Sequence, residues 1–96
     1  MDIEEISKIV KLIPYISELA DSGEPMRQSE LRRRVDKSKS TTHRAVKYLK
    51  QKDIVADVGG GYTLTESGEL ISEKTDRYVS EMKATDEYTE FLSIIR

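Results

Sequence analysis

Apolar residues in the first fifth of the chain recur three and four apart. Ile3, Ile6, Val10 and Ile13 form one stripe, and Ile9, Leu12, Ile16 and Leu19 fill an adjacent face. The spacing predicts a helix over residues 2–21, and two stripes on one helix predict burial on more than one side. Asp2 followed by Glu5 has the form of a capping box, with Asp in the usual place of Ser or Thr. Pro14 lacks a backbone donor and clashes with the preceding turn of a helix. A kink is therefore expected, or two helices meeting at residues 13–14. Turn-forming residues at 21–25 (Asp-Ser-Gly-Glu-Pro) end the segment.

Residues 26–28 read as a short edge strand or an extended approach to the next helix. Ser29 is the expected cap of that helix, which runs through Val35 with Leu31 and Val35 inward. Residues 36–38 turn the chain into a longer helix over 39–52, capped by Ser38. Thr42, Ala45, Val46 and Leu49 point inward on this helix; Lys39, Ser40, Thr41, His43, Arg44, Lys47 and Lys50 point outward. Residues 54–58 are short and β-prone. Gly59, Gly60 and Gly61 permit the positive φ of a tight hairpin, and residues 62–64 return as the partner strand. Thr65 caps a further helix with Leu70, Ile71, Tyr78, Val79 and Met82 on one broad face. Residues 83–87 are expected to break it. Tyr88, Phe91, Leu92, Ile94 and Ile95 then form an apolar segment that a monomer of this size has little core to bury.

Charge sharpens this outline. Ten of the sixteen Lys and Arg residues lie between Arg27 and Lys52, opposed only by Glu30 and Asp36, so the stretch carries about +8. The remaining seventy residues carry about −10, and the net charge of −2 conceals the division. A basic block on an otherwise acidic protein is the footprint of a phosphate-binding surface, against the plainer reading of a solvated helix pair. The 96 residues allow one domain with a small core, which at 36% apolar and 35% charged content calls for oligomerisation. The whole chain, 1–96, is read as that domain: an N-terminal helix over 1–22, a central unit over 26–65 and a C-terminal helical segment over 66–96, both ends being candidate dimer arms. No cysteine is present, which excludes disulfides and thiolate chemistry. The acidic N-terminus and the lack of a long apolar run make a soluble, cytoplasmic protein the expectation, with no membrane partner.

The order helix, helix, turn, helix, hairpin, helix is that of a winged helix-turn-helix, so the expected fold class is mainly α with a small β-hairpin wing and helical extensions at both ends. Residues 38–49 (SKSTTHRAVKYL), 53–55 (DIV) and 62–68 (YTLTESG) carry the resemblance. The pattern resembles ArsR- and MarR-like winged-helix regulators, and most closely the DNA-binding domain of archaeal transcription regulators, over about residues 8–83. Asp36 and Asp53 stand where that pattern usually has glycine; Asp tolerates the left-handed conformation better than most residues. The wing of Gly59, Gly60, Gly61 and Tyr62 holds no basic residue and is flanked by Asp57. The resemblance implies double-stranded DNA as partner, transcription regulation as function, and a further domain in some relatives.

On that reading Lys39, Ser40, Thr41, His43 and Arg44 face base edges, because a recognition helix presents its first turns to the major groove. Arg27, Arg32, Arg33, Arg34, Lys37, Lys47 and Lys50 hold phosphates, which supply affinity and register without sequence information. Tyr62 either reaches a sugar-phosphate or packs on the recognition helix. One His and no Cys give no basis for a metal site, and no nucleophile–base pair, phosphate loop or paired carboxylate emerges, so neither catalysis nor a cofactor is expected. The twin-striped first helix and the apolar end predict a homodimer. Any small-molecule effector is left open. The rival reading is a winged helix used for protein contact within a transcription or replication assembly.

Overall fold

In the computed structural model, which describes residues 2–82, five helices surround a two-stranded antiparallel hairpin in a winged-helix-like arrangement. The first apolar segment is two helices. In α1 (Ile3–Lys11), the Asp2 carboxylate accepts from the Glu5 N–H at 2.8 Å, acidic residues occupy the first turn and Lys8 and Lys11 the last. Leu12 closes α1, and α2 (Ile13–Ser22) begins at once with Pro14 in its first turn, where a missing N–H leaves nothing unsatisfied. Gly23 ends α2 in the left-handed region at φ 69°.

The two stripes of the first segment are not both covered. Ile9, Tyr15, Ile16 and Leu19 are buried, whereas Ile3 is 83% and Ile6 48% exposed. The break at Leu12 lets α2 turn into the core and leaves the start of α1 outside it. The chain then passes through Met26, which exchanges two backbone hydrogen bonds with Tyr62 (2.9 and 2.8 Å) and is almost fully buried. This bridge forces the next helix to begin early. In α3 (Gln28–Val35) the capping position is Arg27, not Ser29, and no side chain caps it. Ser29 lies in the first turn, and the predicted strand at 26–28 is reduced to a single bridge at Met26.

Asp36, at φ 54°, terminates α3 and returns its N–H to the carbonyls of Arg32 and Arg33. Then α4 (Lys39–Gln51) runs through the centre of the fold, and Thr42, Ala45, Val46 and Leu49 are buried as their spacing requires. It packs on α3 and on strand β1 (Val55–Val58). Asp53, at φ 58°, reverses the chain between them. The hairpin turn is Gly59–Gly60, with φ of 56° and 89°, which matches the two-residue turn that suits strand twist. Gly61 belongs to strand β2 (Gly61–Leu64), paired with Val58, and a Cβ there would stand 3.0 Å from that of Pro25.

Helix α5 (Glu66–Met82) starts with Thr65, whose hydroxyl donates to the Asp53 carbonyl at 2.6 Å and accepts from Gly68 N–H at 3.1 Å. Its inner side carries Gly68 and Ser72, flanked by half-buried Ile71 and Thr75; Leu70, expected on the inner face, is 52% exposed. The cause is rotation: Gly68 is the position that meets the Ile54 carbonyl, and Leu70, about 200° further round the helix, is thereby turned outward. The expected break at 83–87, the apolar segment at 88–95 and the side chains of Tyr78, Val79 and Met82 lie outside the described residues.

A Cβ on Gly68 would overlap the Ile54 carbonyl oxygen. Gly68→Ala is therefore expected to destabilise the fold by about 2 kcal/mol, overcoming the gain of roughly 1 kcal/mol that alanine brings to a helix. Urea denaturation measures this, and stability at or above wild type would show that the close approach is not needed.

Candidate nucleic-acid interface

Presentation of α4 begins at its cap. Ser38 is extended; its Oγ accepts from the Thr41 N–H at 3.1 Å and donates to Thr41 Oγ1 at 2.8 Å. Thr41 is half-buried, so its hydroxyl is engaged at the helix start and sits off the open face. With about 3.6 residues per turn, the meridian opposite the buried side carries Ser40, Arg44, Lys47 and Gln51, all exposed. His43 and Lys50 flank it toward the wing, and Thr41 and Tyr48 flank it toward α1. Lys39 is exposed at the helix start. Gln51 was not picked out from the sequence, although its spacing from Ser40, Arg44 and Lys47 marks the same face.

Ion pairing divides the basic block. Arg34 lies 3.2 Å from Glu30 and 3.8 Å from Glu18, Lys50 lies 2.8 Å from Asp57, and Lys52 lies 3.0 Å from Glu5. Among the described residues, Arg27, Arg32, Arg33, Lys37, Lys39, Arg44 and Lys47 make no ion pair, and all are exposed. Six of these seven lie on the later part of α3, the turn after it, or α4. Arg27 precedes α3, about 12 Å along the helix axis from that turn.

The wing acts on α4 through two side chains. Tyr62 is half-buried and lines a cleft of about 250 Å³ with His43, Val46, Lys47, Lys50 and Gln51, so its ring packs on the helix. Lys50 Nζ stands 5.9 Å from the Tyr62 ring centroid and is hydrogen-bonded to Asp57 on β1. The wing's single acid thus draws in the cation beside it. That hydrogen bond, then the charge of Asp57, raises the Lys50 pKa above the ordinary 10.5. Glu5 does the same to Lys52. Sequence alone did not predict the Asp57–Lys50 pair, because it joins residues of different elements. The turn glycines, Gly59 and Gly60, are exposed, and no basic residue lies in the hairpin from Val55 to Leu64.

Chemically, this surface offers guanidinium and ammonium donors suited to phosphate oxygens and guanine edges, plus the shorter polar side chains of Ser40, His43 and Gln51, which can donate or accept. Among the described residues no cluster of three His, Cys, Asp or Glu is placed to hold a metal ion, and no helix is long and apolar enough to cross a membrane.

Residues 1–87 match the family model described as HVO_A0261 N-terminal domain. No curated protein matches the chain.

Because its raised pKa reflects Asp57, the Lys50 amine is expected to titrate above an unpaired lysine, and Asp57→Asn to return it to the ordinary range. The sign follows: the pair's contribution is complete below the ordinary value of 10.5 and is lost as pH rises through the higher folded value. Side-chain NMR titration of both proteins checks this, and identical Lys50 curves would remove the pair.

Proposed function

The chain belongs to the HVO_A0261 N-terminal domain family, and from that premise we propose that it is a sequence-specific double-stranded DNA-binding regulator of transcription. The observation carrying the reading is the exposed meridian of α4. Arg44 and Lys47 stand there without an ion pair among the described residues, on a helix whose opposite side is locked into the core. The resemblance to ArsR- and MarR-like winged-helix regulators supports the same assignment. Helix α4 docks in the major groove, Lys39, Ser40, His43 and Arg44 meet base edges, and Arg32, Arg33, Lys37 and Lys47 hold phosphates. Thr41, recessed and already hydrogen-bonded, is a secondary reader. Arg34 and Lys50 reach phosphate only by exchanging a carboxylate partner for it.

Regulation follows from occupancy: a domain seated on promoter DNA blocks or recruits the polymerase. The acidic exposed side of α5, with Glu66, Glu69, Glu73 and Asp76, is repelled by DNA and favours approach through the basic side. A homodimer joined through the exposed start of α1 would read two half-sites about 34–36 Å apart, or a multiple of that. Exposed Ile3 and Ile6 support such an arm. Sedimentation is expected to show the dimer at tens of micromolar, and a monomer there removes the two-fold reading.

Selection from random duplexes should yield a preferred site whose affinity falls steeply with salt. Arg44→Ala with Lys47→Ala is expected to abolish preference for that site while leaving the fold intact, since both side chains are exposed. Asp57→Asn, which frees Lys50, should strengthen binding and steepen the salt slope by about one unit. Unchanged affinity in the double variant sinks the recognition-helix assignment. A domain that only docks on protein would select no duplex.

A further inference from the structure

At the C-terminal end of α2, a cleft of about 360 Å³ opens between that helix, strand β2 and α5. That volume lies in the range of small-molecule sites. Its charge is of one sign: Glu69, Glu73 and Asp76 of α5 line one wall and Glu24 the other. Among the described residues no Lys, Arg or His lines it. Arg77, one turn beyond Glu73, approaches that carboxylate to 3.7 Å, with both side chains 68% exposed. Helix α2 adds to the field. Its last turn holds no basic residue, so no side-chain cation answers the negative end of the helix. Between the carboxylates the surface is apolar, provided by Leu19, Ala20 and Leu64.

Exposed carboxylates alone make an ordinary solvated surface, and Ser72 sets this one apart. Ser72 is 8% exposed, lines the cleft, and makes no side-chain hydrogen bond among the described residues. The wholly enclosed, unpartnered hydroxyls are those of Tyr15, Thr42 and Tyr48; Ser72 keeps an opening, and it opens on the cleft. It follows Glu69 by three residues and precedes Asp76 by four, so a carboxylate stands one turn to either side on the same face of α5. A buried hydroxyl without a partner is costly, and a donor seated in the cleft meets it.

The spacing of the acids selects the kind of cation. Among the described residues no three acidic or His side chains converge to hold a metal ion, so a single point charge does not satisfy this wall. From Glu69 to Glu73 to Asp76, the rise along α5 is about 6 Å and then about 4.5 Å. A chain that repeats its charge at such intervals, with ammonium groups separated by a few methylenes, matches both the acids and the apolar surface between them. We propose that the cleft binds a linear aliphatic polyamine. Its ammonium groups meet Glu69, Glu73 and Asp76, its methylenes lie on Leu19 and Leu64, and Ser72 accepts from the nearest ammonium. Glu24 completes the charge from the α2 side. The ligand joins α2, β2 and α5, so occupancy stabilises the folded chain. None of these residues belongs to the basic face assigned to DNA, and the site stands whether or not α4 reads a duplex.

Titration of the full chain with spermidine at constant ionic strength, followed by amide NMR shifts, tests the site. Saturable shifts centred on Leu19, Leu64 and Ser72 are expected, together with a rise in Tm. Magnesium chloride and 1-butylamine should each bind at least about tenfold more weakly, the first lacking the apolar chain and the second the repeated charge. Glu69→Gln with Asp76→Asn should weaken spermidine about tenfold without altering the circular dichroism spectrum, since both side chains are exposed. Ser72→Ala should weaken it about threefold without lowering stability, because an unmet hydroxyl is removed. Shifts that fail to saturate, equal binding of magnesium or butylamine, or unchanged affinity in either variant each overturn the site. Uptake of tetralysine with no response to spermidine also overturns it, and assigns the cleft to a basic protein segment.

Discussion

The backbone of Ile54 is where the separate parts of this fold are tied together. Its N–H returns to the Leu49 carbonyl at 2.9 Å, which finishes α4, and its carbonyl accepts the Thr65 N–H at 3.0 Å, which begins α5. Its side chain is buried, and Gly68 sits against its carbonyl with no room for a Cβ. Helix α4, the hairpin and helix α5 thus share one residue as a common support. The second support is the double hydrogen bond between Met26 and Tyr62, which joins the hairpin to the segment before α3. With both ends of the central unit held, the orientation of α4 follows from core packing, and its outward meridian is presented rigidly.

Presentation decides which charges are usable. A count over residues 27–52 treats ten cations alike. Among the described residues, carboxylates engage three of them: Arg34 pairs with Glu18 and with Glu30 of its own helix, Lys52 with Glu5 and Lys50 with Asp57. Exposed pairs of this kind add little to stability. Their consequence is electrostatic focus, because the cations without an ion pair among the described residues gather, Arg27 apart, around the end of α3 and the outer side of α4, while the wing contributes a carboxylate. The acidic remainder is focused too, with Glu24, Glu69, Glu73 and Asp76 gathered on the cleft between α2, β2 and α5.

The local devices of the fold were legible residue by residue. Asp2, Ser38 and Thr65 cap helices as their spacing implied, Asp36 and Asp53 adopt the left-handed conformation, and the glycines at 59–60 turn the hairpin. The inward set on α4 is buried in full. What went astray depended on distant partners. Ser29 lost the capping position because Met26 is held by Tyr62, thirty-six residues further on. Leu70 is exposed because α5 rests on a backbone carbonyl, and the Ile3–Ile6 stripe is exposed because no element among the described residues covers it. Tyr62, ambiguous in the sequence, lies against α4.

Periodicity, caps and turn residues alone determined which segments are helices, where the hairpin turns and which side of each α4 residue faces the core. They suffice because each acts within one or two turns of the chain. Tertiary structure alone decided which apolar stripes are covered, which cations are paired and that Glu24 shares one cleft with Glu69, Glu73 and Asp76. Those outcomes arise from contacts between residues far apart in sequence, whose geometry no local spacing encodes.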